Sequence, residues 1–363
     1  MAKEIGSEFS YSLSNIMKII NSSNNSLNKF LNVDKDYILY LNTGRSAIKY
    51  LIDNIISKKY KKILVPSYLC SSILKSIESS NIDIEFYRVT SKLEIDLDDI
   101  KSKIDNSTCI FIINFFGFEQ RKEIRNFLNE VRKSNVIIED CTHSILSRIN
   151  PIGHYQIASM RKWIGIPDGS IIISLEHKIH RVIDLIYDEF ILKRLIGQLA
   201  KNEYLVGGNI EKDKFLNLIS DAEQEYDENF KISKISDISK KILNNQDYSE
   251  IIKIRRTNYL YLLKNSEDIN SIEVMYKEIS NNVCPLGFVV ITNQRDRLRQ
   301  YLAKNRIYCP IHWSLPKILS NKYEESIKLS ENILTIPCDQ RYTIDDMKYI
   351  IKKLRDYKRC ANE

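Results

Sequence analysis

Three short apolar runs between Val136 and Ser174, each joined to a polar group or a turn, decide the fold of this chain. In order they read Val136-Ile137-Ile138-Glu139 before Asp140-Cys141-Thr142-His143, then Gln156-Ile157-Ala158-Ser159-Met160 before Arg161-Lys162, and then Pro167-Asp168-Gly169 before Ser170-Ile171-Ile172-Ile173-Ser174. Runs of this length predict buried strands, and Pro-Asp-Gly predicts a turn. Because ligands of open α/β sheets collect at the carboxyl ends of strands, we expect neighbouring strand ends to present Asp140 and Lys162 together.

A carboxylate beside an amine suits pyridoxal phosphate (PLP). This cofactor needs a lysine to bind its aldehyde, and an acid beside its pyridine nitrogen keeps that nitrogen protonated so that the ring can accept electrons. Lys162 and Asp140 match these two roles. A plainer alternative stays open, in which Asp140 caps a helix and Lys162 lies on a solvated loop.

The segment Asn42–Ile48 predicts a turn that runs into a helix. Gly44 allows close backbone approach, and the free amides of a helix start together with the Ser46 hydroxyl can hold a phosphate. An ordinary helix start is the alternative. The helix is predicted from apolar residues at helical spacing, namely Ala47, Ile48, Leu51, Ile52, Ile55 and Ile56.

With a phosphate cup, a ring acid and a lysine in this order, the sequence resembles the fold-type I PLP enzymes. Among them it is similar to the DegT/DnrJ/StrS family of sugar aminotransferases, from about Leu39 to about Leu354. The similar segments are Thr43-Gly44-Arg45-Ser46-Ala47-Ile48, Val65-Pro66-Ser67-Tyr68, Glu139-Asp140-Cys141-Thr142-His143, Lys162 with Pro167-Asp168-Gly169, and Asn229-Phe230-Lys231-Ile232.

The resemblance implies the α/β architecture of a fold-type I PLP-transferase. A large domain, residues 1–235, would hold a mainly parallel sheet flanked by helices, and its N-terminal segment 1–38 would pack on it or on a partner subunit. Residues 236–363 would form a smaller α+β C-terminal domain. Strand and helix alternate along the chain as this architecture requires.

The resemblance also implies PLP as cofactor, a homodimer with composite active sites, and small-molecule substrates, namely a nucleotide-linked keto-sugar and an amino donor such as glutamate. Lys162 would be the catalytic residue, and Asn229 would approach the phosphate in the opposite subunit. The residues implied to contact the cofactor are Asp140, His143, Gly44, Arg45, Ser46, Ser159, Cys70 and Asn229. The substrate candidates are His312, Trp313 and Asn114, with Arg341 as a further cation. For His143, His312 and Trp313 a structural role is an open alternative, and for Asn229 the alternative is an ordinary polar loop.

The chain departs from the family pattern at four places and so resembles a divergent branch. Cys70 stands where an aromatic residue usually stacks on the cofactor ring, and Arg45, which could itself pair with phosphate, replaces a threonine. The family's Gly-Glu-Gly-Gly is Pro167-Asp168-Gly169-Ser170 here. Ser159 precedes Lys162 by three residues, a spacing found in other fold-type I aminotransferases, where the serine binds phosphate.

Composition excludes several other classes of protein. The net charge of +7 comes from Lys and Arg interleaved with acids, which does not favour nucleic-acid binding. No apolar run is long enough to span a membrane, and no zinc-ligand spacing or Gly-x-Gly-x-x-Gly occurs. Seven cysteines without metal spacing predict reduced thiols. Since residues 1–21 lack a signal-peptide core, we expect a cytoplasmic protein. Because no metal-ligand spacing occurs, we expect it to bind no metal.

Local patterns predict the individual elements. The predicted strands are Lys62–Val65, Ile82–Val89, Cys109–Asn114, Pro285–Thr292 and Ile333–Ile336, besides the three apolar runs above, and Ile307–Trp313 is extended. The predicted helices are Tyr11–Ile20, Leu69–Glu78, Asp96–Ile104, Lys122–Arg132, His177–Ala200, Phe215–Glu228, Ile235–Ile242, Tyr248–Leu263, Asp296–Lys304 and Ile344–Leu354.

Three functions remain open at this point. The chain could be a sugar aminotransferase for surface polysaccharide or glycan synthesis, or a PLP enzyme of another reaction type on the same scaffold. It could also be a non-catalytic relative that serves as a binding or scaffold subunit. Cys70 and the altered Pro-Asp-Gly-Ser loop favour this last hypothesis, whereas Asp140, Lys162 and Gly44-Arg45-Ser46 together count against it.

Overall fold

The computed structural model describes residues 4–20, 24–179, 183–319 and 321–360. Its strands are β1 (Ile5–Gly6), β2 (Ile38–Leu41), β3 (Lys62–Pro66), β4 (Asp83–Tyr87), β5 (Thr108–Ile113), β6 (Ile137–Asp140), β7 (Tyr155–Ser159), β8 (Ser170–Ser174), β9 (Glu273–Val274), β10 (Phe288–Ile291), β11 (Ile307–Tyr308) and β12 (Ile333–Ile336). Its helices are α1 (Leu13–Ile20), α2 (Ser26–Leu31), α3 (Gly44–Leu51), α4 (Ser71–Glu78), α5 (Leu97–Lys101), α6 (Lys122–Val131), α7 (Asp188–Val206), α8 (Lys212–Glu228), α9 (Asp237–Asn244), α10 (Tyr248–Asn265), α11 (Arg295–Lys304), α12 (Glu324–Asn332) and α13 (Ile344–Cys360).

A seven-stranded sheet in the order β2-β8-β7-β6-β5-β3-β4 forms the centre of the molecule. Neighbours from β4 to β7 run parallel, and β8 runs antiparallel to both β7 and β2. The middle strands are fully buried because runs such as Ile110–Ile113 and Ile171–Ile173 meet apolar groups on both faces. The predicted mainly parallel sheet flanked by helices is therefore confirmed.

Each predicted strand of this sheet lies within one or two residues of its expected position. Asp140 is the last residue of β6, and its neighbour across the sheet is Ile157 of β7. The short helical turn that follows β7, Met160–Lys162, carries Lys162. The sheet thus brings Asp140 and Lys162 to one edge, as the apolar runs predict.

The prediction of one long helix over residues 177–200 is wrong at its start. The helix α7 begins at Asp188, whose acidic first turn suits a helix N-terminus, and ends at Val206. Before it, the Ile179 amide donates to the Asp36 carbonyl (2.8 Å) and the Leu185 carbonyl accepts from the Lys234 amide (2.9 Å). These long-range bonds fix the backbone at Ile179 and Leu185, and the described residues 177–179 and 183–187 form no helix although their apolar spacing suits one. Val182 of that prediction lies outside the described residues.

A second apolar core surrounds the small sheet β12-β10-β9 and helices α10, α11 and α13. The N-terminal strand β1 pairs in parallel with β11, and Ile5 is buried in this second core. The prediction that the N-terminal segment packs on the large domain or a partner subunit stays a prediction. Its first strand lies on the C-terminal part of the chain, whereas Leu27 and Ile38 share an apolar cluster with Ile171 and Ile173 of β8. The division into domains at residue 235 remains a prediction.

The helices α7 and α8 form a hairpin beside the large sheet. They approach closely at Gly197, where a Cβ atom would lie 2.6 Å from Cγ1 of Ile219. Glycine at this position therefore permits the packing. None of the helices in the described ranges is long and apolar enough to cross a membrane.

Candidate active site

A cavity of about 220 Å³ lies at the carboxyl ends of β6 and β7. It brings together eight of the predicted site residues with several that were not predicted. The predicted residues in its lining are Gly44, Arg45, Cys70, Asp140, His143, Ser159, Lys162 and Trp313.

Asp140 presents a buried carboxylate to this cavity. Its Oδ1 accepts a hydrogen bond from the Thr142 amide (2.8 Å), and only 5% of the residue is exposed. Burial raises the pKa of Asp140 to about 6, although the Thr142 hydrogen bonds and the Lys162 ammonium group oppose this shift. A cation placed beside the carboxylate would therefore be bound strongly.

Lys162 is exposed in the turn after β7 and lines the cavity. Within the described ranges, no residue forms a hydrogen bond or an ion pair with its ammonium group. Ser159, which ends β7, lies across from Gly44, where a Cβ atom would meet the Ser159 Cβ at 3.4 Å. A side chain at position 44 would narrow the cavity at this point, so glycine keeps it open.

His143 is buried beside Asp140, and both of its ring nitrogens lack a hydrogen-bond partner among the described residues. Its ring stacks on Trp313 at a centroid distance of 4.9 Å and meets His312 edge-on at 5.1 Å. Burial, together with the nearby His312 and Lys162, holds the pKa of His143 well below its usual range. An unpaired neutral imidazole in this position is available to a ligand.

Tyr68 connects the large sheet to Trp313. Its buried hydroxyl donates to the His312 carbonyl and accepts from the Trp313 amide (2.8 Å). His312 itself is fixed by a hydrogen bond between its Nδ1 and Thr335 Oγ1 (2.9 Å). Two predicted substrate residues from the C-terminal part are thereby held against the cavity.

The predicted phosphate cup forms the start of α3. Thr43 caps the helix, its Oγ1 accepting from the Ser46 amide (3.2 Å). The Ser46 hydroxyl is fully buried and forms a hydrogen bond with the Tyr226 hydroxyl (2.8 Å), so it already has a partner within the protein. Gly44 and Arg45 remain in the lining.

Arg45 faces an acid that the sequence did not single out. Its Nη2 donates to Glu223 Oε2 (2.7 Å), its Nη1 pairs with Asp227, and its guanidinium group lies 4.5 Å from the centre of the Tyr226 ring. Glu223 belongs to α8 and lines the cavity. Arg45 is therefore paired with carboxylates in the free protein.

Cys70 occupies the position where an aromatic ring was expected. It is half-buried at the start of α4 and lines the cavity, with its Sγ 3.1 Å from Ser72 Oγ. A thiol covers less area than a ring, while Trp313 supplies the aromatic surface of the cavity from the C-terminal part.

Four of the predicted site residues are not part of this cavity lining, namely Ser46, His312, Asn114 and Asn229. The Asn114 amide donates to Glu139 Oε1 (2.7 Å) and lines a separate cavity. Asn229 is exposed at the end of α8, its side chain donating to the Glu225 carbonyl (3.3 Å). The structure thus keeps Asn229 outside the cavity of its own chain.

A second cavity of about 600 Å³ shares Arg161 and Lys162 with the first. Arg341 lines it and is held by Asp339 through a two-pronged ion pair (2.7 and 2.8 Å). Its cationic lining residues are Arg161, Lys162, Lys212, Arg255, Arg299 and Arg341, against the acids Glu8 and Asp339. Within the described ranges, no group of His, Cys, Asp and Glu side chains could hold a metal ion.

Sequence reasoning missed Arg161, Glu223 and Tyr226. Arg161 directly precedes Lys162, so its place beside the site could have been recognised from the sequence. Glu223 and Tyr226 are three residues apart and share a face of α8. Nothing in the local sequence indicates that this face meets the start of α3.

No protein-family model matches the chain, and no curated protein matches it by sequence. Solved structures do match over nearly the whole chain. The fold is that of fold-type I PLP-dependent aminotransferases, which confirms the predicted fold class.

More particularly, the chain shares the architecture of sugar aminotransferases. CalS13, a sugar aminotransferase from Micromonospora echinospora, matches with a TM-score of 0.66 and 13% identity over 98% of this chain and 100% of its own. The PLP form of Spr1654 from Streptococcus pneumoniae matches with a TM-score of 0.68 and 14% identity over 97% and 98%. A DegT DnrJ EryC1 StrS aminotransferase from Brucella abortus matches with a TM-score of 0.64 and 15% identity over 95% and 94%. At these identities, the likeness establishes the fold.

Proposed function

We propose that the protein is a PLP-dependent aminotransferase that moves an amino group from an amino acid such as glutamate to a nucleotide-linked keto-sugar, for surface polysaccharide or glycan synthesis. The proposal rests mainly on the arrangement of three side chains in the small cavity. Adjacent parallel strands present the Asp140 carboxylate and the free Lys162 amine to one cavity, beside the unpaired imidazole of His143. The sugar aminotransferases and the PLP form among the structural neighbours support it.

The residues of the cavity fit PLP at its ring end. Asp140 would hold the protonated pyridine nitrogen, His143 the ring hydroxyl, and Lys162 the aldehyde. Gly44 and Ser159, with the amides at the start of α3, would hold the phosphate. Bound there, PLP supplies an aldehyde that exchanges amines and a ring that withdraws electrons from the substrate carbon.

The chain itself contributes proton transfer and charge. Lys162 takes the α-proton of the amino donor as a general base and returns a proton to the acceptor carbon. Asp140 keeps the ring nitrogen protonated, since a cation beside the carboxylate lowers the pKa that burial has raised. Trp313 lines the cavity, where its ring would limit the access of water to the bound cofactor.

The first experiment adds PLP to the purified protein, records the near-visible absorption spectrum, reduces the protein with borohydride and maps the modified peptide. We expect colour and a modification at Lys162. Lys178, an exposed lysine paired with Asp36, provides the control: Lys178→Ala should keep the colour and Lys162→Ala should lose it. A colourless wild-type protein with no modified lysine would favour the non-catalytic binding subunit.

The reaction type is tested by adding glutamate to the PLP-loaded protein. An aminotransferase should release 2-oxoglutarate in an amount equal to the loaded chain. Colour at Lys162 without release of an oxo acid from any of the common amino acids would favour another PLP reaction on this scaffold.

The acceptor is proposed from the second cavity. Its cationic lining is continuous with Lys162 and suits the diphosphate of a nucleotide-linked sugar. Arg299→Gln should raise KM for a nucleotide-linked sugar at least about tenfold and leave the reaction with glutamate unchanged. Arg297→Gln, exposed on the same helix, is the matched control. Equal KM values in the two variants would place the nucleotide elsewhere.

A homodimer is part of the proposal. The helix α7 exposes Leu192 (57%) and Ile196 (44%) one turn apart, an arrangement suited to packing against a second copy. Asn229, exposed outside its own cavity, remains the proposed contact to the partner's phosphate. Light scattering should give twice the 42.6 kDa chain mass, and Leu192→Glu should dissociate the dimer whereas Leu260→Glu on α10 should not.

We also propose that the protein acts in the cytoplasm. The cysteines with described side chains, from Cys70 to Cys338, are free thiols, as expected in a reducing compartment. Fractionation of cells that express the protein should recover it with cytosolic markers. Recovery with the membrane fraction would contradict this location.

A further inference from the structure

Glu223 lies at the meeting point of three guanidinium groups. Its Oε1 accepts from Arg161 Nη1 (2.7 Å) and Arg194 Nη1 (2.7 Å), and its Oε2 accepts from Arg45 Nη2 (2.7 Å). These arginines come from the start of α3, the turn of Lys162 and the helix α7. A single carboxylate therefore connects three separate elements at one end of the cavity.

This cluster lies where the phosphate of PLP is proposed to bind. Arg45, Arg161 and Glu223 line the same cavity as Gly44 and Ser159. Burial alone would raise the pKa of Glu223, but the three arginines outweigh it and lower that pKa to about 2. Glu223 is thus an anion fixed in the region that must accept a second anion.

Each arginine of the cluster is already paired with a carboxylate without a ligand. Besides Glu223, Asp227 pairs with Arg45 and with the exposed Lys75 (3.1 Å), and Glu8 pairs with Arg194 (3.1 Å). A phosphate that enters must therefore compete with carboxylates for its cations.

The arginines nevertheless retain unused donors. Among the described residues, the buried Nε atoms of Arg161 and Arg194 have no hydrogen-bond partner. Arg161 lines the cavity. A phosphate has more acceptor sites than a carboxylate, so it could use donors that Glu223 leaves unsatisfied.

We propose that Glu223 is a built-in competitor of the PLP phosphate. In the free protein its carboxylate holds Arg45 and Arg161, and the phosphate takes these two guanidinium groups over when PLP binds. Glu223 thereby weakens the affinity for PLP. The inference rests on the proposed PLP site, and it concerns the affinity of that site.

The test compares Glu223→Gln with Glu225→Gln, whose acid lies on the same helix but pairs with Lys193. Titration with PLP, followed by absorbance and by tryptophan fluorescence, gives Kd for each variant. Removing the negative charge beside the phosphate should lower Kd for PLP at least about tenfold in Glu223→Gln. It should leave Kd unchanged in Glu225→Gln.

A second measurement does not need PLP. Inorganic phosphate should raise the unfolding temperature of Glu223→Gln more than that of the wild type, because phosphate replaces the lost partner of the arginines. Equal shifts in the two proteins, or an unchanged or larger Kd for PLP in Glu223→Gln, would overturn the inference. If Glu223→Gln does not fold even with phosphate, Glu223→Asp is the second variant, because it retains the charge on a shorter side chain. Glu223→Asp should lower Kd for PLP about threefold relative to the wild type. A Kd equal to or larger than that of the wild type would overturn the inference in this variant too.

The two measurements separate this inference from the proposed function. If the wild type never gains the colour of bound PLP but phosphate stabilises Glu223→Gln selectively, the competition is real and the PLP assignment fails. If the wild type binds PLP at Lys162 and neither readout distinguishes Glu223→Gln from the wild type, the competition alone fails.

Discussion

The polar groups at the two ends of the small cavity differ in whether they have partners. The ring end contains Asp140, His143 and Lys162, and the phosphate end contains Glu223 with its arginines. At the ring end, Asp140 is buried with a pKa raised to about 6, both nitrogens of His143 lack partners among the described residues, and the Lys162 amine is unpaired. At the phosphate end, Glu223 is held by three arginines and its pKa is lowered to about 2. The polar groups of the ring end lack partners of opposite charge, whereas the carboxylate of the phosphate end is paired with arginines of the protein itself.

This difference indicates where the chain is built for a ligand. A buried polar group without a partner costs free energy, on the order of 1–3 kcal/mol, so stability does not explain the ring end. A ligand that offers a cation to Asp140 and a hydroxyl to His143 would recover that cost. At the phosphate end the three arginines are already paired with carboxylates, which is why the affinity of this end for an anion is expected to be limited.

The largest expected effect comes from removing the amine at the ring end. Lys162→Ala should lower amino transfer by on the order of 10³-fold, since it removes both the covalent attachment and the general base. The assay is the release of oxo acid, with circular dichroism to show that the fold is retained. Full turnover in this variant would remove the ring end from consideration as the reactive site.

Removing the charge of Asp140 at the ring end should raise the stability of the free protein and weaken PLP binding. Because the pKa of Asp140 is raised from 3.8 to about 6, its contribution to stability is present below pH 3.8 and lost as the pH rises through 6. Asp140→Asn should therefore make the free protein more stable at pH 7, by at most about 3 kcal/mol, and weaken PLP binding. Urea unfolding at pH 3.5 and pH 7 measures the change in the free energy of unfolding. If Asp140→Asn were less stable than the wild type at pH 7, the buried carboxylate would not be destabilising in the free protein.

The opposite sign is expected at the phosphate end. The pKa of Glu223 is lowered from 4.5 to about 2, so its stabilising contribution is present above pH 4.5 and lost as the pH falls through 2. Glu223→Gln should be less stable than the wild type at pH 7 by about 2 kcal/mol, after allowance for its partial exposure. The two proteins should converge near pH 2. Acid titration of unfolding in a buffer without phosphate measures this, and parallel curves would show that the arginines do not depend on Glu223.

The smallest expected effect concerns the link between the cavity and the C-terminal part. Tyr68→Phe removes the hydroxyl that joins the His312 carbonyl and the Trp313 amide, at a cost of about 1–2 kcal/mol in the free energy of unfolding. Trp313 should become more mobile, which fluorescence anisotropy would show. An unchanged anisotropy would mean that ring packing, rather than this hydroxyl, holds Trp313 over the ring end.

The local sequence predicted most of the large sheet and the ring end of the cavity. Short Ile-rich runs specify buried strands wherever they occur, so β6, β7 and β8 lie where they were expected. Since parallel strands end at a common edge, the placement of Asp140 and Lys162 at one cavity followed from their positions after two such runs.

Only the tertiary structure decided the features that depend on distant partners. The apolar spacing before Asp188 suits a helix, but in the described residues 177–179 and 183–187 the backbone hydrogen-bonds to Asp36 and Lys234 instead of forming one. Likewise, Asp168 of the unusual Pro-Asp-Gly-Ser loop accepts from the Ser236 amide (2.8 Å) and the Ser239 hydroxyl (2.5 Å), and so connects the loop to the start of α9.

The sequence by itself therefore determined the fold class, the positions of the buried strands and the residues at the ring end of the site, because these depend on local patterns. The partner of Arg45, the placement of Trp313 over His143 and the pairing of β1 with β11 were decided by the tertiary structure. Each of these joins segments far apart in the chain, and the burial that pairs them is a property of the folded molecule rather than of any short stretch.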